Sequence, residues 1–299
     1  MRYPRGILVS CEVPWDERDN FMEDVFRQEV RAFLAHGFRH IYIFGTAGEG
    51  YAVENGRYRR IAEVFWEETR GPGVLPQVGV IGLSTLLIRE RIDLAYEIGF
   101  RTFQISLPSW GALSDSELLR FFRDVCLAYP HAQFLHYNLL RTKRLLTAAD
   151  YRRIADEVPN LAATKNTSPD VSHTAALMRT VPELQHFFGE AAFPTGCLHG
   201  ACSLLSSFAP LFPGRTHDLF NHALAGRIQP LFELQTAYLT AVHRVIAPML
   251  RSTKIDGAYD KALVRLGGVP MPLRLLSPYE GLSEEVFEEC RRVLESVAF

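Results

Sequence analysis

The sequence predicts an α/β protein, a (β/α)8 TIM barrel with a C-terminal helical extension. Runs rich in branched and aromatic residues occur eight times between residues 6 and 207, and the stretches between them carry apolar residues at helical spacing. Strands that alternate with helices form parallel crossover units, and eight such units are the number that closes this barrel. A doubly wound open sheet is the alternative that fits the same alternation.

The predicted strands follow one another along the chain. They are GILVSC from Gly6, HIYIF from His40, PQVGVI from Pro76, RTFQISL from Arg101, AQFLHYN from Ala132, NLAATK from Asn160, LQHFFG from Leu184 and ACSLLSS from Ala201. Gly37 and Gly99 follow the ends of predicted helices, and Ser114 and Thr147 precede the starts of others. These residues match the preferences of helix caps, which supports the helix boundaries.

No strand pattern follows Arg215. The segments GRIQPLFELQTAYLTAVHRVIAPML, AYDKALVRLGG and SEEVFEECRRVL have helical spacing and are separated by glycine and proline. We therefore divide the chain into a barrel domain, residues 1–215, and a C-terminal helical region, residues 216–299, that packs on the barrel.

Composition excludes several classes of protein. A formal charge of −2 gives no electrostatic bias toward nucleic acid or an anionic membrane, so neither partner is expected. No segment reaches the ~18 apolar residues of a membrane span, and the N-terminal apolar run is shorter than a signal-peptide core. Scattered cysteines without a CxxC pair are typical of reduced thiols, which favours a cytoplasmic location.

Lys165 is the first candidate for chemistry, because it closes an apolar strand at the end of the barrel where active sites of this fold lie. Side chains alternate along a strand, so Lys165 faces the interior if Leu161 and Ala163 do. A pKa lowered by about three units through burial would leave roughly a third of the amine neutral at pH 7. A neutral amine can form a Schiff base with a keto acid; a strand-end lysine that reaches solvent or an ion pair is the alternative.

Tyr137 ends the preceding strand and faces inward by the same alternation, together with Leu135. Its phenol could move a proton between a substrate oxygen and the adjacent carbon, although an inward tyrosine is also a common core residue. The adjacent His136 is expected to point toward the helices and to pack there.

The loop after the second strand reads IFGTAGEGY. Its glycines permit tight turns, and the Thr46 hydroxyl with the amides around Ala47 could hold a carboxylate. The loop lacks the Gly-Lys-Ser/Thr ending of a phosphate-binding P-loop and the GxGxxG of a dinucleotide site. An ordinary glycine turn is the structural alternative.

Taken together, GTAGEG, HYN followed by RT, and ATKNTS resemble the motifs of the dihydrodipicolinate synthase and N-acetylneuraminate lyase family of class I, Schiff-base aldolases. The resemblance covers the whole chain, including KALVRLGG and PLRLLSP near the C-terminus. It implies a (β/α)8 barrel that acts on pyruvate or a related 2-keto acid and an aldehyde, without a metal or other cofactor. It also implies a homo-oligomer, a dimer or more usually a tetramer.

The family's residue roles are transferred only where the motifs match. Lys165 corresponds to the Schiff-base lysine and Tyr137 to the tyrosine of the YN motif, and their separation of 28 positions agrees with the family. Thr46 corresponds to the hydroxyl residue of a GTTGE-like loop that receives the keto-acid carboxylate. The other binding candidates in this loop are Gly45, Ala47 and Gly48.

The chain also departs from the family pattern. Ala47 replaces a second threonine, and Trp110 stands where the synthases have a proton-relay tyrosine, so dihydrodipicolinate synthesis is not expected. A tryptophan here is similar to the hydratase-aldolase branch; it could form an apolar wall for a hydrophobic aldehyde, or pack at a subunit interface or lid. Arg141 could bind a second carboxylate or form a loop ion pair.

Two more binding candidates follow the last strands. Glu190, after the seventh strand, could face the substrate or serve the structure, and Leu205 lies in the eighth strand. Cys197, His199 and Cys202 lack a fourth ligand and are not interpreted as a metal site.

The sequence thus predicts a carbon–carbon lyase that forms a Schiff base through Lys165. Hydratase-aldolase chemistry with a hydrophobic aldehyde is one variant. A non-catalytic 2-keto-acid sensor on the same barrel and a sugar-acid dehydratase of the same family are the alternatives.

Overall fold

The computed structural model describes residues 2–299, and these form a closed barrel of eight parallel strands. The strands are β1 (Ile7–Ser10), β2 (His40–Ile43), β3 (Leu75–Gly79), β4 (Thr102–Ile105), β5 (Gln133–Asn138), β6 (Leu161–Asn166), β7 (Gln185–Gly189) and β8 (Ser203–Ser206). Each strand pairs with the next in sequence, and β8 pairs with β1. The predicted barrel and its eight strands are confirmed, and the open-sheet alternative is excluded.

Helices alternate with the strands and continue after them. The barrel helices are α1 (Glu23–Ala35), α2 (Asn55–Thr69), α3 (Thr85–Ile98), α4 (Asp115–Cys126), α5 (Ala148–Glu157), α6 (Val171–Thr180), α7 (Phe193–Cys197) and α8 (Pro213–Leu224), with a 3-10 turn at Leu140–Thr142. The C-terminal helices are α9 (Ile228–Leu250), α10 (Asp256–Leu266) and α11 (Glu284–Glu295). The predicted division after residue 215 falls within α8.

The predicted caps are present. The side chains of Ser114 and Thr147 each accept a hydrogen bond from the backbone amide of the third helical residue. The carboxylate of that residue in turn accepts a hydrogen bond from the backbone amide of the cap residue. Gly37 and Gly99 have φ angles of +88° and +133°, which favour glycine at these helix ends.

Apolar side chains form two layers. The larger layer lies between the barrel and its helices, and a smaller one fills the barrel interior, where it includes Tyr42, Leu135, Ala163 and Leu205. Leu161 belongs to the outer layer, which corrects the assumed inward orientation. The cause is a register irregularity, because Phe134 pairs with Leu161 while the next residue, Leu135, pairs with Ala163.

Helix α10 lies against the loop after β2, at the C-terminal ends of the strands. A Cβ atom on Gly257 would come within 2.8 Å of the Ala47 carbonyl oxygen, so only glycine permits this approach. The C-terminal region therefore forms part of the wall at the mouth of the barrel. No helix within residues 2–299 combines the length and apolar character needed to cross a membrane.

Candidate active site

Lys165 reaches into the barrel from β6, and its residue is only 3% exposed. Its Nζ donates a 2.8 Å hydrogen bond to the Tyr42 hydroxyl and lies 3.5 Å from the Gln104 Oε1. The same nitrogen lies 3.9 Å from the centroid of the Tyr137 ring. The contacts of the amine are therefore with neutral groups, in place of the solvent or ion pair that the alternative interpretation required.

Burial lowers the pKa of Lys165 to about 7. The charges of Asp260, Asp256 and Glu12 favour the ammonium form and oppose this decrease. An amine with this pKa is roughly half neutral at pH 7, whereas an exposed lysine is almost entirely protonated.

Tyr137 is the next-to-last residue of β5, pairs with Lys165 of β6 and is 8% exposed. Burial raises the pKa of its phenol, while hydrogen bonding to the Thr46 and Thr167 side chains acts in the opposite direction. The phenol therefore keeps its proton at neutral pH and can donate it. His136, the preceding residue, points outward and its Nδ1 lies 2.7 Å from the Tyr151 hydroxyl.

Lys165, Tyr137 and Thr46 line one cavity of about 770 Å³. Both the polar and the apolar groups of this cavity come from the barrel and from the C-terminal helices α9 and α10. Its other polar residues are Tyr42, Arg141, Thr167, Ser207, Asp256, Tyr259 and Asp260. Its apolar lining consists of Ala47, Leu139, Leu140, Leu205, Phe208, Ile246, Met249, Leu250 and Leu263.

Comparison with known proteins identifies the family. The model of the dihydrodipicolinate synthetase family matches residues 3–297, which is nearly the entire chain. The chain belongs to this family. Its members are class I lyases that form a Schiff base through a lysine, so the predicted enzyme class, a carbon–carbon lyase, is confirmed.

Individual relatives are distant but cover the full chain. An N-acetylneuraminate lyase of Citrobacter koseri is 23% identical over 295 residues, which span 98% of this chain and 97% of the relative. A prophage protein of the dihydrodipicolinic acid synthase family from E. coli K12, solved in complex with pyruvate, superimposes with a TM-score of 0.88 at 18% identity over 98% of each chain. Dihydrodipicolinate synthase from Aquifex aeolicus gives a TM-score of 0.86 at 18% identity, covering 98% of this chain and 97% of that chain.

In this family member, the loop after β2 is held in a strained conformation. Phe44 and Glu49 have φ angles of +59° and +55°, which residues other than glycine rarely adopt. A Cβ on Gly45 would lie 2.8 Å from the Tyr42 ring, and one on Gly48 would lie 3.1 Å from the Phe44 nitrogen. The two glycines thus allow the loop to pack close to Tyr42 and to place Thr46 in the cavity.

A buried ion pair anchors this loop to α10. The Glu49 Oε1 accepts hydrogen bonds from the Lys261 Nζ at 2.6 Å and the Trp15 Nε1 at 2.8 Å, and its Oε2 accepts one from the Leu276 amide at 2.7 Å. Both charged side chains are fully buried. Sequence reasoning did not find this pair, because its members are 212 positions apart.

Arg141 lies at the rim of the cavity and binds Asp256 of α10. Its Nη1 and Nη2 donate to the two carboxylate oxygens at 3.0 and 3.1 Å. The structure therefore contains the loop ion pair that was one of the two expectations for Arg141. The guanidinium still lines the cavity, so it also remains a candidate for binding substrate.

The remaining candidates occupy different places. Leu205 lines the cavity floor. Glu190 is buried outside the cavity lining, where it accepts hydrogen bonds from the Ser206 hydroxyl at 2.8 Å and the Phe208 amide at 3.2 Å. Trp110 is 83% exposed and does not line the cavity of Lys165 in this chain.

Several site residues were not predicted. Tyr42 of β2 and Gln104 of β4 both reach the amine of Lys165 in the barrel interior. Each is a polar residue within a mostly apolar strand, and this pattern could have predicted a functional side chain. Asp256 and Asp260 reach the cavity because α10 lies over the barrel mouth, and no sequence pattern indicated that placement. Residues 2–299 contain no cluster of three or more His, Cys, Asp or Glu side chains suited to a metal ion.

Proposed function

We propose that the protein makes or cleaves a C–C bond between pyruvate, or a related 2-keto acid, and an aldehyde, through a Schiff base on Lys165. The observation that carries this proposal is the buried amine, whose pKa of about 7 leaves much of it neutral. A neutral amine can attack a ketone carbon. The iminium that results withdraws electrons from the adjacent carbon, where a C–C bond can then form or break.

The groups around the amine have complementary roles. The Thr46 hydroxyl and the Ala47 amide are the groups that we assign to the keto-acid carboxylate, because both residues line the cavity in a loop anchored by Glu49 and Lys261. Tyr137, protonated at neutral pH and next to Nζ, is placed to exchange a proton with the substrate oxygen. No metal or other cofactor is required by this chemistry, since the lysine supplies the electron sink.

The apolar wall supports a hydrophobic aldehyde as the second substrate. Leu139, Phe208, Ile246, Met249 and Leu250 line the side of the cavity away from the barrel strands. These side chains offer dispersion contacts but no hydrogen bonds to a sugar chain. The N-acetylneuraminate lyase relatives act on a sugar acid, and at 23% identity their aldehyde is not transferred to this chain.

The pyruvate complex of the E. coli K12 neighbour supports pyruvate as the keto acid to test first. Family members typically assemble as oligomers, and the proposal includes a homo-oligomer located in the cytoplasm. Sedimentation velocity of the purified protein tests the assembly state.

The experiment is a product assay with pyruvate and a panel of aromatic, aliphatic and sugar aldehydes, analysed by chromatography with mass spectrometry. We expect a condensation product with wild type and none with Lys165→Met. Product from apolar aldehydes in preference to sugars would support the hydrophobic variant. Pyruvate-dependent thermal stabilisation without any product would favour a keto-acid sensor, and loss of water from a sugar acid without C–C cleavage would favour a dehydratase.

A further inference from the structure

Asp260 lines the same cavity as Lys165, and the Schiff-base chemistry proposed above assigns it no role. It follows Asp256 by one turn of α10, and both carboxyls belong to the cavity wall. Arg141 binds Asp256 through two hydrogen bonds, whereas the Asp260 carboxyl has no hydrogen bond or ion pair with any residue in the described range 2–299. It is therefore available to a bound substrate.

A second, smaller cavity is lined by Asp260 and by Tyr42, the hydrogen-bond partner of Lys165. Its volume is about 20 Å³, and its lining includes Ser10, Glu12, Tyr42, Ser206 and Asp260. The Ser10 hydroxyl and the Glu12 Oε2 are buried there without a hydrogen-bond partner among residues 2–299. A polar cavity of this size admits one water molecule, which could bond to several of these groups at once.

Electrostatics favour a neutral acid next to a neutral amine. Burial raises the pKa of the Asp260 carboxyl well above its ordinary value, and the charges of Glu12 and Asp256 act in the same direction. Burial also raises the pKa of Glu12 to about 7. Among the acids whose charge opposes the lowered pKa of Lys165, Asp260 has the largest effect. Ionisation of Asp260 would therefore favour protonation of Lys165, and protonation of Lys165 would favour ionisation of Asp260.

We propose that Asp260 is the acid–base residue that moves protons to and from the Schiff base of Lys165, supported by Glu12 across the small cavity. This inference rests on the proposed function, and it deepens it by assigning the group that protonates the leaving hydroxyl of the keto acid and removes its methyl proton. Tyr137 then exchanges its proton with the aldehyde oxygen. It also fits the position of Trp110, which we matched to the relay tyrosine of the synthases and which lies outside this cavity.

The proposed steps balance in atoms and charge. In the carbinolamine on Lys165, the Asp260 carboxyl gives its proton to the hydroxyl on the former carbonyl carbon. The C–O bond breaks, water leaves, and the nitrogen lone pair forms the C=N bond. A cationic iminium then faces the Asp260 carboxylate, and this ion pair replaces two neutral groups.

The carboxylate next removes a proton from the methyl carbon of the pyruvyl group. The C–H electron pair becomes the C=C bond of the enamine, and the electrons of the C=N bond return to nitrogen. A neutral enamine and a protonated Asp260 remain. The buried site therefore carries no net charge from this pair at any stage, which avoids the free-energy cost of an isolated charge in a low-dielectric environment.

The test is the exchange of pyruvate methyl protons for deuterium in D2O, followed by proton NMR, because it requires the enamine but no aldehyde. We expect Asp260→Asn to slow exchange by about 10²-fold or more at saturating pyruvate, the usual scale for a general acid–base. Asp260→Glu should retain part of the rate. Borohydride should still trap pyruvate on Lys165 of Asp260→Asn after long incubation, which separates this step from Schiff-base formation itself.

Glu29→Gln is the control, because Glu29 is a fully buried acid that lies outside the lining of both cavities. Its Oε1 accepts a hydrogen bond from the Glu12 amide at 2.8 Å, which a glutamine oxygen can also accept. We expect this variant to exchange at the wild-type rate.

Exchange by Asp260→Asn at the wild-type rate overturns the inference, and so does a wild type that traps pyruvate without exchange. Failure of the wild type to trap pyruvate contradicts the proposed function instead. If Asp260→Asn does not fold, Asp260→Ala is assayed with added formate. Restored exchange would support an acid–base role, since a small carboxylate replaces the lost group, and absence of rescue would contradict it.

Discussion

Lys165 of β6 donates a 2.8 Å hydrogen bond to the hydroxyl of Tyr42, which lies on β2. These two strands are four apart in a closed barrel of eight, so the bond crosses the interior. It holds the amine inside the barrel, 3.9 Å from the centroid of the Tyr137 ring and in the cavity that Thr46 also lines.

We predict that Tyr42→Phe lowers the pKa of Lys165 further, because the lost hydroxyl accepts a hydrogen bond that stabilises the ammonium. The rate of borohydride trapping with pyruvate, measured against pH, should rise through a midpoint near about 7 in wild type. The midpoint should move to lower pH in the variant. Tyr3→Phe is the control, because Tyr3 belongs to the same interior cluster but has no bond to Lys165; an equal shift in both variants would contradict the prediction.

Lys165 should also affect the pH dependence of stability. Its pKa is about 7 in the folded protein and near 10.5 when unfolded, so between these values the unfolded chain binds more protons. The free energy of unfolding of wild type, relative to Lys165→Met, should therefore rise with pH over this range, by at most ~1.4 kcal/mol per pH unit. Urea unfolding of both proteins at several pH values measures the difference, and a difference independent of pH would mean that the amine is not desolvated.

The ion pair of Glu49 and Lys261 should contribute to stability and to the loop after β2. Because both side chains are fully buried, Lys261→Met leaves a carboxylate without its cation and should reduce the free energy of unfolding by ~3–5 kcal/mol. The double variant Glu49→Gln with Lys261→Met should lose much less than the sum of the single changes. Urea unfolding of all four proteins gives the coupling; additive losses would show that the pair does not act as a unit.

The apolar wall should determine the choice of aldehyde. Leu250 lines the cavity and is 53% exposed, so Leu250→Gln should reduce kcat/KM for an aromatic aldehyde roughly 10-fold through lost apolar contact. Pyruvate trapping should be unchanged. Leu224→Gln is a matched control, because this leucine is 54% exposed and lies outside the cavity lining. Equal kinetics of the two variants would place the aldehyde elsewhere.

The sequence predicted the barrel and the inward position of Lys165 and Tyr137 because both depend on short-range periodicity. Alternation along each strand identifies the side chains that face the interior. The prediction was wrong for Leu161, because the register irregularity next to it reverses which side chains of β6 face inward. The inference for Lys165 still held because Ala163 and Lys165 both follow the irregularity.

Other features depend on how distant segments pack. Asp260 gives no local signal in GAYDKAL, and it becomes a site residue only because α10 covers the mouth of the barrel. The same holds for Arg141, whose partner Asp256 is 115 positions away. Trp110 was expected to face a substrate or to pack against another surface. In the single chain it is exposed and does not line the cavity of Lys165.

Schiff-base formation on Lys165 is tested by mapping the adduct that borohydride forms with pyruvate. The chain has four lysines, at positions 143, 165, 254 and 261, so peptide mass spectrometry can distinguish every site. Lys261 is held in a buried ion pair. Lys143 donates a hydrogen bond to the Trp110 carbonyl oxygen, and Lys254 donates one to the Glu280 carboxylate. We predict a reduced pyruvyl group on Lys165 alone; an unmodified Lys165, or label spread over the other three lysines, would contradict the account.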